Sequence, residues 1–199
     1  MNTVKFLIKK LSQLKPVHII LIAFFLTDIF CFAYSHQIHN KKNKVHYQET
    51  AVITAFSAPR QEKVDSIINF AKSYLGKPYK EASCGPDGFD CSGFIYYIFK
   101  KFNINLSRSS YTMAEEGEEV ADTSLAQKGD LIFFQGTDLS DPKVGHVGLI
   151  ISEKGEPISF IHSSSNKKNN GIIITGLNER SYRKRFVKIK RVLEPELMK

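Results

Sequence analysis

Residues 130–162 read DLIFFQGTDLSDPKVGHVGLIISEKGEPISFIH, and this stretch determines which fold class the sequence can adopt. Short runs of Ile, Val, Leu and Phe alternate here with Gly, Pro, Asp and Ser, which is typical of strands joined by turns. The same pattern continues downstream. It predicts five strands, at Leu131–Phe134, His146–Ile151, Ile158–His162, Ile172–Thr175 and Phe186–Val192.

Upstream of these strands, the apolar residues have helical spacing. The pattern from Val64 to Leu75 predicts one helix, which ends at Gly76. The pattern from Phe94 to Phe102 predicts a second helix, with Asp90 as a candidate N-cap. Helices followed by consecutive strands predict an α+β domain, in which the helices pack on a mostly antiparallel sheet of five to six strands.

The composition limits the class of protein. The chain has 199 residues, of which 42% are hydrophobic and 24% charged, and this excludes a disordered chain. Three cysteines are too few for a disulfide-built scaffold, and a single long apolar run excludes a polytopic membrane protein. The formal charge is +8, but the basic clusters Lys41–Lys44 and Arg183–Arg185 lack a recognition motif, so we expect no nucleic-acid partner.

The N-terminal segment has the features of a secretion signal. Lysines precede the apolar run Val17–Tyr34, and Ala33 and Ser35 are small residues suited to cleavage after Ser35. An uncleaved membrane anchor is the alternative, but Asp28 disfavours it because a charge inside the bilayer is costly. We therefore predict a signal over residues 1–35.

The remaining chain divides into a linker and one folded domain. Residues 36–58 are polar and mostly lack periodicity, so they are predicted to be a linker. Residues 59–199 contain all the predicted helices and strands and form the predicted domain.

A cysteine lies in the first turn of the second predicted helix, in the segment Asp90-Cys91-Ser92-Gly93-Phe94. Free backbone N–H groups and the helix dipole at this position favour the thiolate of Cys91 over the thiol. The same N–H groups can stabilise the oxyanion that forms when a thiolate attacks a carbonyl. The alternative is a small, buried core cysteine, which is a common role of a free thiol.

Two of the six histidines, His146 and His162, lie in the predicted domain, and both are on predicted strands. A three-residue hairpin loop at Glu153–Gly155 would set them directly opposite each other on one face of the sheet. One imidazole could then act as a base on Cys91 while the other orients it. A loop of another length would change this register. The alternative is a pair of surface histidines on an exposed face.

Five segments, in this order, resemble the NlpC/P60 cysteine peptidases, which cut peptidoglycan stem peptides. They are Gly76–Tyr79, Pro86–Phe94, Leu106–Ser110, Lys128–Phe134 and Gly145–Gly148. The resemblance implies a papain-like α+β fold and a secreted cysteine peptidase that hydrolyses stem peptides, at a γ-D-glutamyl bond. It also implies that Cys91 is the nucleophile, that His146 is the base and that His162 orients the base.

The resemblance extends to substrate binding. It implies that Tyr79 helps to form the oxyanion region, and that Asp90 and Ser92 line the pocket for the free amino end of the stem peptide. Ala82 and Ser83 stand where this family usually has two glycines. We expect no metal and no cofactor, a monomer in the periplasm or cell envelope of a bacterium, and contact with a membrane only if residues 1–35 are retained.

Other functions are compatible with the same residues. A wall-binding module could keep the fold without turnover, and an amidase or transferase could use the same thiol on another substrate. A zinc site built from Cys84, Cys91 and the two histidines is disfavoured by the spacing of the cysteines. A disulfide between Cys84 and Cys91 would consume the nucleophile, so Cys84 is predicted to be free or partly buried.

Overall fold

A computed structural model of the chain describes residue 37 and residues 60–193. Most of the predicted linker and the whole predicted signal lie outside these residues, so both assignments stay predictions. In the described part of the chain, none of the helices combines the length and the apolar character that crossing a membrane requires.

The described part of the chain begins with helices and continues as a run of strands. Its elements are α1 (60–72), α2 (Cys91–Lys101), α3 (Ser110–Met113), β1 (Glu118–Glu119), a 3₁₀ turn (Thr123–Leu125), β2 (Leu131–Gln135), β3 (Val144–Ile150), β4 (Ser159–Asn166), β5 (Asn169–Gly176), α4 (Arg180–Arg185) and β6 (Phe186–Arg191).

The six strands form one antiparallel sheet in the order β1-β6-β2-β3-β4-β5. This architecture confirms the predicted α+β class. All five predicted strands are present, although β4 and β5 extend beyond their predicted ends. The sequence pattern missed β1 because Glu118 and Glu119 are both exposed acids with no apolar alternation. This two-residue strand pairs with β6 at one edge of the sheet.

The sheet is buried on both faces, and β2 shows this most clearly. Leu131 and Phe133 belong to the core that α1 and α2 cover. Ile132 and Phe134 point the other way, into a second cluster that contains Tyr182 of α4. Because successive side chains of a strand alternate between faces, a strand covered on both sides has a continuous apolar run.

The pairing of β3 with β4 differs from the predicted register by two residues. The connection covers residues 151–158 rather than three residues, so the predicted pairing of His146 directly with His162 is wrong. Gly148 faces His162 instead, and a Cβ atom added to this glycine would lie 3.3 Å from the Cβ of His162. A shift of two residues keeps every side chain on its face, and the two histidines therefore still share one face.

Candidate active site

The start of α2 is fixed by Asp90, which precedes the first helical residue, Cys91. The Asp90 side chain accepts a hydrogen bond of 2.6 Å from the backbone N–H of Gly93, which confirms the predicted N-cap. Nη1 and Nη2 of Arg108 donate to the two oxygens of the same carboxylate, at 3.0 and 2.5 Å. A residue with a side chain could not replace Gly93, because its Cβ would lie 2.1 Å from the carbonyl oxygen of Ser83.

Cys91 is half-buried and lines a cleft. Burial raises the pKa of Cys91, and the negative charge of Asp90 raises it further. The backbone N–H groups of Ser92, Val147 and Cys91 lower the pKa, but by less than burial and Asp90 together raise it. The N–H groups at the helix N-terminus therefore act in the predicted direction, but burial and Asp90 outweigh them, and the pKa of Cys91 lies above its ordinary value.

The two histidines form a hydrogen-bonded chain that ends on a threonine. Nε2 of His146 lies 3.0 Å from Nδ1 of His162, and Nε2 of His162 lies 3.0 Å from Oγ1 of Thr175. The two rings are nearly perpendicular, at 89°. His162 is completely buried, which excludes the alternative of two surface histidines. Because Nε2 of His146 is engaged, Nδ1 is the ring nitrogen available to a reacting group.

Both imidazoles are neutral at neutral pH. Burial lowers the pKa of His146 well below its ordinary value, with further contributions from His162 and from the positive charge of Arg185. Burial, followed by the charge of Arg185, lowers the pKa of His162 to about 3. A neutral imidazole at His146 can accept a proton, which is the state that a general base requires.

Cys91 and His146 line the same cleft, which has a volume of about 640 Å³. The Sγ atom of Cys91 lies 3.9 Å from the carbonyl oxygen of Gly145, the residue before His146. Tyr79 also lines this cleft. Burial raises the pKa of the Tyr79 hydroxyl, and the charges of Cys91 and Asp90 raise it further, so Tyr79 is a hydrogen-bond donor at neutral pH.

The other two predicted binding residues have different surroundings. Asp90 and Ser92 are buried and are not among the residues that line the cleft. The hydroxyl of Ser92 accepts a hydrogen bond of 3.1 Å from Arg108 and donates a longer one of 3.4 Å to Asp90. Their polar atoms therefore hold Arg108 at the start of α2, and a contact with substrate stays a prediction.

Sequence patterns missed three residues of this site. Thr175 lies on a predicted strand, but its contact with His162 depends on the register of β4 against β5. Tyr182 packs its ring 5.1 Å from the ring of His162 and 6.1 Å from that of His146. Arg185 belongs to the basic cluster Arg183–Arg185, in which the sequence shows a run of charge and no motif. The short, charged helix α4 has no apolar pattern that could have located the last two.

Cysteines and acidic residues of the described part of the chain form neither a disulfide nor a metal site. Cys84 is an exposed free thiol, and Cys91 is also free. Within residues 60–193, no three His, Cys, Asp or Glu side chains lie close enough together to hold a metal ion.

The sequence profile of the NlpC/P60 family matches residues 76–191, and the chain belongs to this family. The chain is 36% identical over 129 residues to a γ-D-glutamyl-L-lysine dipeptidyl-peptidase of Bacillus cereus, covering 65% of this chain and 36% of the relative. It is 27% identical over 168 residues to the murein DD-endopeptidase MepS/murein LD-carboxypeptidase of Escherichia coli K12, covering 77% of this chain and 83% of the relative.

A solved structure agrees with this membership. The crystal structure of an NlpC/P60 family protein from Bacillus cereus has a TM-score of 0.58 and 36% sequence identity to this chain. The similarity covers 66% of this chain and 40% of that protein, so the chain spans less than half of its length.

Proposed function

We propose that this protein is an exported cysteine peptidase that hydrolyses a γ-D-glutamyl amide bond in peptidoglycan stem peptides. The observation that carries the proposal is the arrangement of Cys91, His146 and His162, in which a thiol and a neutral imidazole line one cleft and a second imidazole engages the first. The names of the relatives, one a γ-D-glutamyl-L-lysine dipeptidyl-peptidase and one a murein endopeptidase, support the substrate class.

The reaction begins from a neutral pair. In the free site the raised pKa of Cys91 and the lowered pKa of His146 both favour the thiol and the neutral imidazole. Nδ1 of His146 accepts the thiol proton as the sulfur forms a bond to the amide carbonyl carbon. The C=O electron pair moves to the oxygen, which accepts hydrogen bonds from the Cys91 backbone N–H and the Tyr79 hydroxyl.

The tetrahedral intermediate then collapses. The C–N bond breaks, the proton on His146 passes to the departing amine, and a thioester remains on Cys91. A water molecule next gives a proton to His146 while its oxygen bonds to the thioester carbon. The C–S bond breaks, and the sulfur regains a proton from His146, which restores the neutral pair.

His162 and Thr175 orient the base throughout these steps. When His146 carries the extra proton, its Nε2–H donates to Nδ1 of His162, which therefore must be unprotonated. His162 then carries its proton on Nε2, where the Thr175 hydroxyl accepts it as a hydrogen bond. The very low pKa of His162 agrees with a ring that stays neutral and only orients its neighbour.

Export to the cell envelope follows from the substrate, because peptidoglycan lies outside the cytoplasmic membrane. The basic start and apolar run of residues 1–35 support this location.

Mass spectrometry of digests tests the proposal. The full chain is incubated with purified peptidoglycan and with the peptide L-Ala-γ-D-Glu-L-Lys-D-Ala, and we expect release of L-Ala-γ-D-Glu. Cys91→Ala should abolish the release, whereas Cys84→Ala removes the exposed free thiol and should leave it unchanged. Release that persists in Cys91→Ala refutes the proposed chemistry. Binding without release would identify a wall-binding module, and products joined to an added amine would identify a transferase.

The amino-end pocket has its own test. If Asp90 and Ser92 help to bind the free amino group, acetylation of the N-terminal alanine should raise KM. An acetylated peptide that is cut as efficiently as the free one would remove this role from both residues.

A further inference from the structure

One wall of the cleft comes from α4 and carries positive charge. Ser181, Tyr182, Lys184 and Arg185 all line the cleft that contains Cys91. No Asp or Glu is among the residues of the described chain that line it. The cleft therefore presents two cations and no anion to a bound molecule.

The guanidinium of Arg185 is held in place by neutral groups. Its Nε donates to the backbone carbonyl of Ser181 at 3.3 Å, and its Nη1 donates to the backbone carbonyl of Gln135 at 3.1 Å. Its Cζ lies 4.9 Å from the centre of the Tyr182 ring. These contacts orient the group without cancelling its charge, because carbonyl oxygens and an aromatic face carry no net charge.

Arg185 differs in this respect from four other cations of the domain. Arg108, Lys128, Lys188 and Arg191 each form an ion pair with a carboxylate. Among residues 60–193, no acidic side chain forms an ion pair with Arg185. A half-buried, oriented guanidinium without a counterion is a suitable partner for an anion that enters the cleft.

The charge of Arg185 also reaches the catalytic groups. It lowers the pKa of His146 and of His162, and the Tyr182 ring contacts both histidines as well as Arg185. The ring of Tyr182 is 6.1 Å from that of His146. An anion bound at Arg185 would therefore lie in the same cleft as Cys91 and His146.

We propose that Arg185, assisted by Lys184 at the rim, is the subsite that binds a carboxylate of the peptide substrate. This inference rests on the proposed function and deepens it. A stem peptide linked through the γ-carbonyl of D-glutamate carries a free α-carboxylate four bonds from the scissile carbon, and it also carries a carboxylate at its C-terminus. Both sources have the chemistry that a guanidinium recognises as a pair of parallel hydrogen bonds.

The subsite is tested by comparing how much an Arg185 variant lowers kcat/KM for substrates that differ in one carboxylate. The full chain and Arg185→Gln are compared on the tetrapeptide acid, on its D-isoglutamine form, in which the α-carboxylate is an amide, and on its C-terminal amide. We expect Arg185→Gln to lower kcat/KM for the acid by about tenfold to a hundredfold, mainly through KM, because a charge-assisted hydrogen bond is lost. For the substrate in which an amide replaces the bound carboxylate, Arg185→Gln should lower kcat/KM by less than about twofold. That substrate identifies which of the two carboxylates the subsite binds.

The matched control is Arg183→Gln. Arg183 lies on the same helix and carries the same charge, but it lines a different cavity, so this variant should discriminate between the substrates as the parent does. Arg185→Lys keeps the charge without the planar fork and should give an intermediate loss. If Arg185→Gln lowers kcat/KM equally for all three substrates, or for none, the subsite is refuted.

Binding separates this inference from the proposed function. Titration calorimetry with Cys91→Ala and with the double variant Cys91→Ala/Arg185→Gln measures affinity for the uncleaved peptides. Carboxylate-dependent binding that disappears with Arg185 supports the subsite even if the parent cuts nothing, which would refute only the hydrolysis. Hydrolysis without carboxylate discrimination would refute only the subsite.

Discussion

Replacing Thr175 by Val removes one hydroxyl group from the end of the histidine chain and changes the shape of the side chain very little. The hydroxyl lies 3.0 Å from Nε2 of His162, and both residues are buried, with 4% and 0% of their surfaces exposed. Water cannot easily replace the lost partner at this depth. The variant therefore leaves Nε2 of His162 without a hydrogen bond.

The expected magnitude follows from this burial. An unsatisfied buried polar group costs about 1–3 kcal/mol, which corresponds to a fall in Tm of about 3–10 °C for a domain of this size. If the same energy is lost from the correctly oriented state of His162, kcat falls by roughly tenfold to a hundredfold. KM should change by less than about twofold, because Thr175 is not among the residues that line the cleft.

The assay is hydrolysis of the defined stem peptide, with thermal unfolding followed by circular dichroism. Thr175→Ser restores the hydroxyl and should recover most of the kcat lost in Thr175→Val. Thr112→Val is the control for the loss of an exposed threonine hydroxyl and should leave kcat unchanged. If Thr175→Val lowers Tm but leaves kcat equal to that of the parent, the hydroxyl has only a structural role. Thr175 would then not help to orient the two histidines.

Four further predictions concern other parts of the domain. Gly148→Ala would place a Cβ 2.6 Å from the ring of Phe160, so it should destabilise the fold by about 1–3 kcal/mol and lower kcat. Gly136→Ala is the control, because Gly136 has open space around it, and this variant should not alter Tm. Because the charge of Asp90 raises the pKa of Cys91, Asp90→Asn should lower that pKa. Iodoacetamide should then alkylate Cys91 faster at pH 7, as measured by peptide mapping. Slower alkylation would contradict the sign of this effect. The pKa of His162 is about 3 in the folded state and about 6.5 when unfolded, so the unfolded state binds its proton first as the pH falls. His162 alone should lower the free energy of unfolding by about 1.6 kcal/mol between pH 6.5 and 5, and the lowered pKa of His146 adds to this loss with the same sign. His162→Gln should therefore reduce this dependence in urea titrations at the two pH values. Ala82 has a left-handed backbone, with φ of 55°. Ala82→Gly should therefore raise the free energy of unfolding, measured by urea titration, by up to about 1 kcal/mol. A decrease in this free energy would show that the turn carries no strain.

Local patterns were enough to predict the elements that carry Cys91, His146 and His162. The N-cap at Asp90 and the apolar spacing after it located α2 and placed Cys91 in its first turn. Alternation of side chains along β3 and β4 put His146 and His162 on one face, and that result survived an error of two residues in the register. Capping and periodicity depend on neighbours in sequence, and these are visible without a structure.

The length of the β3–β4 connection was not visible in the sequence. Gly155 indicated a tight turn, and it does adopt a left-handed backbone, with φ of 88°. The neighbouring residues could pair as strands or remain outside the sheet, and their contacts with the rest of the domain decide between the two. The direct pairing of the histidines was therefore wrong, whereas their contact through a diagonal position is present.

The sequence by itself determined the α+β class, the helix tip that holds Cys91 and the shared face of the two histidines, because each depends on short-range spacing. Only the tertiary structure decided the protonation of the site and the residues that complete it. Burial and the charge of Asp90 raise the pKa of Cys91 by more than the N–H groups at the helix N-terminus lower it. The fold also brings Thr175, Tyr182 and Arg185 close to the histidines from later elements. Desolvation and long-range charge depend on what packs around a group, and distant parts of the chain supply that environment.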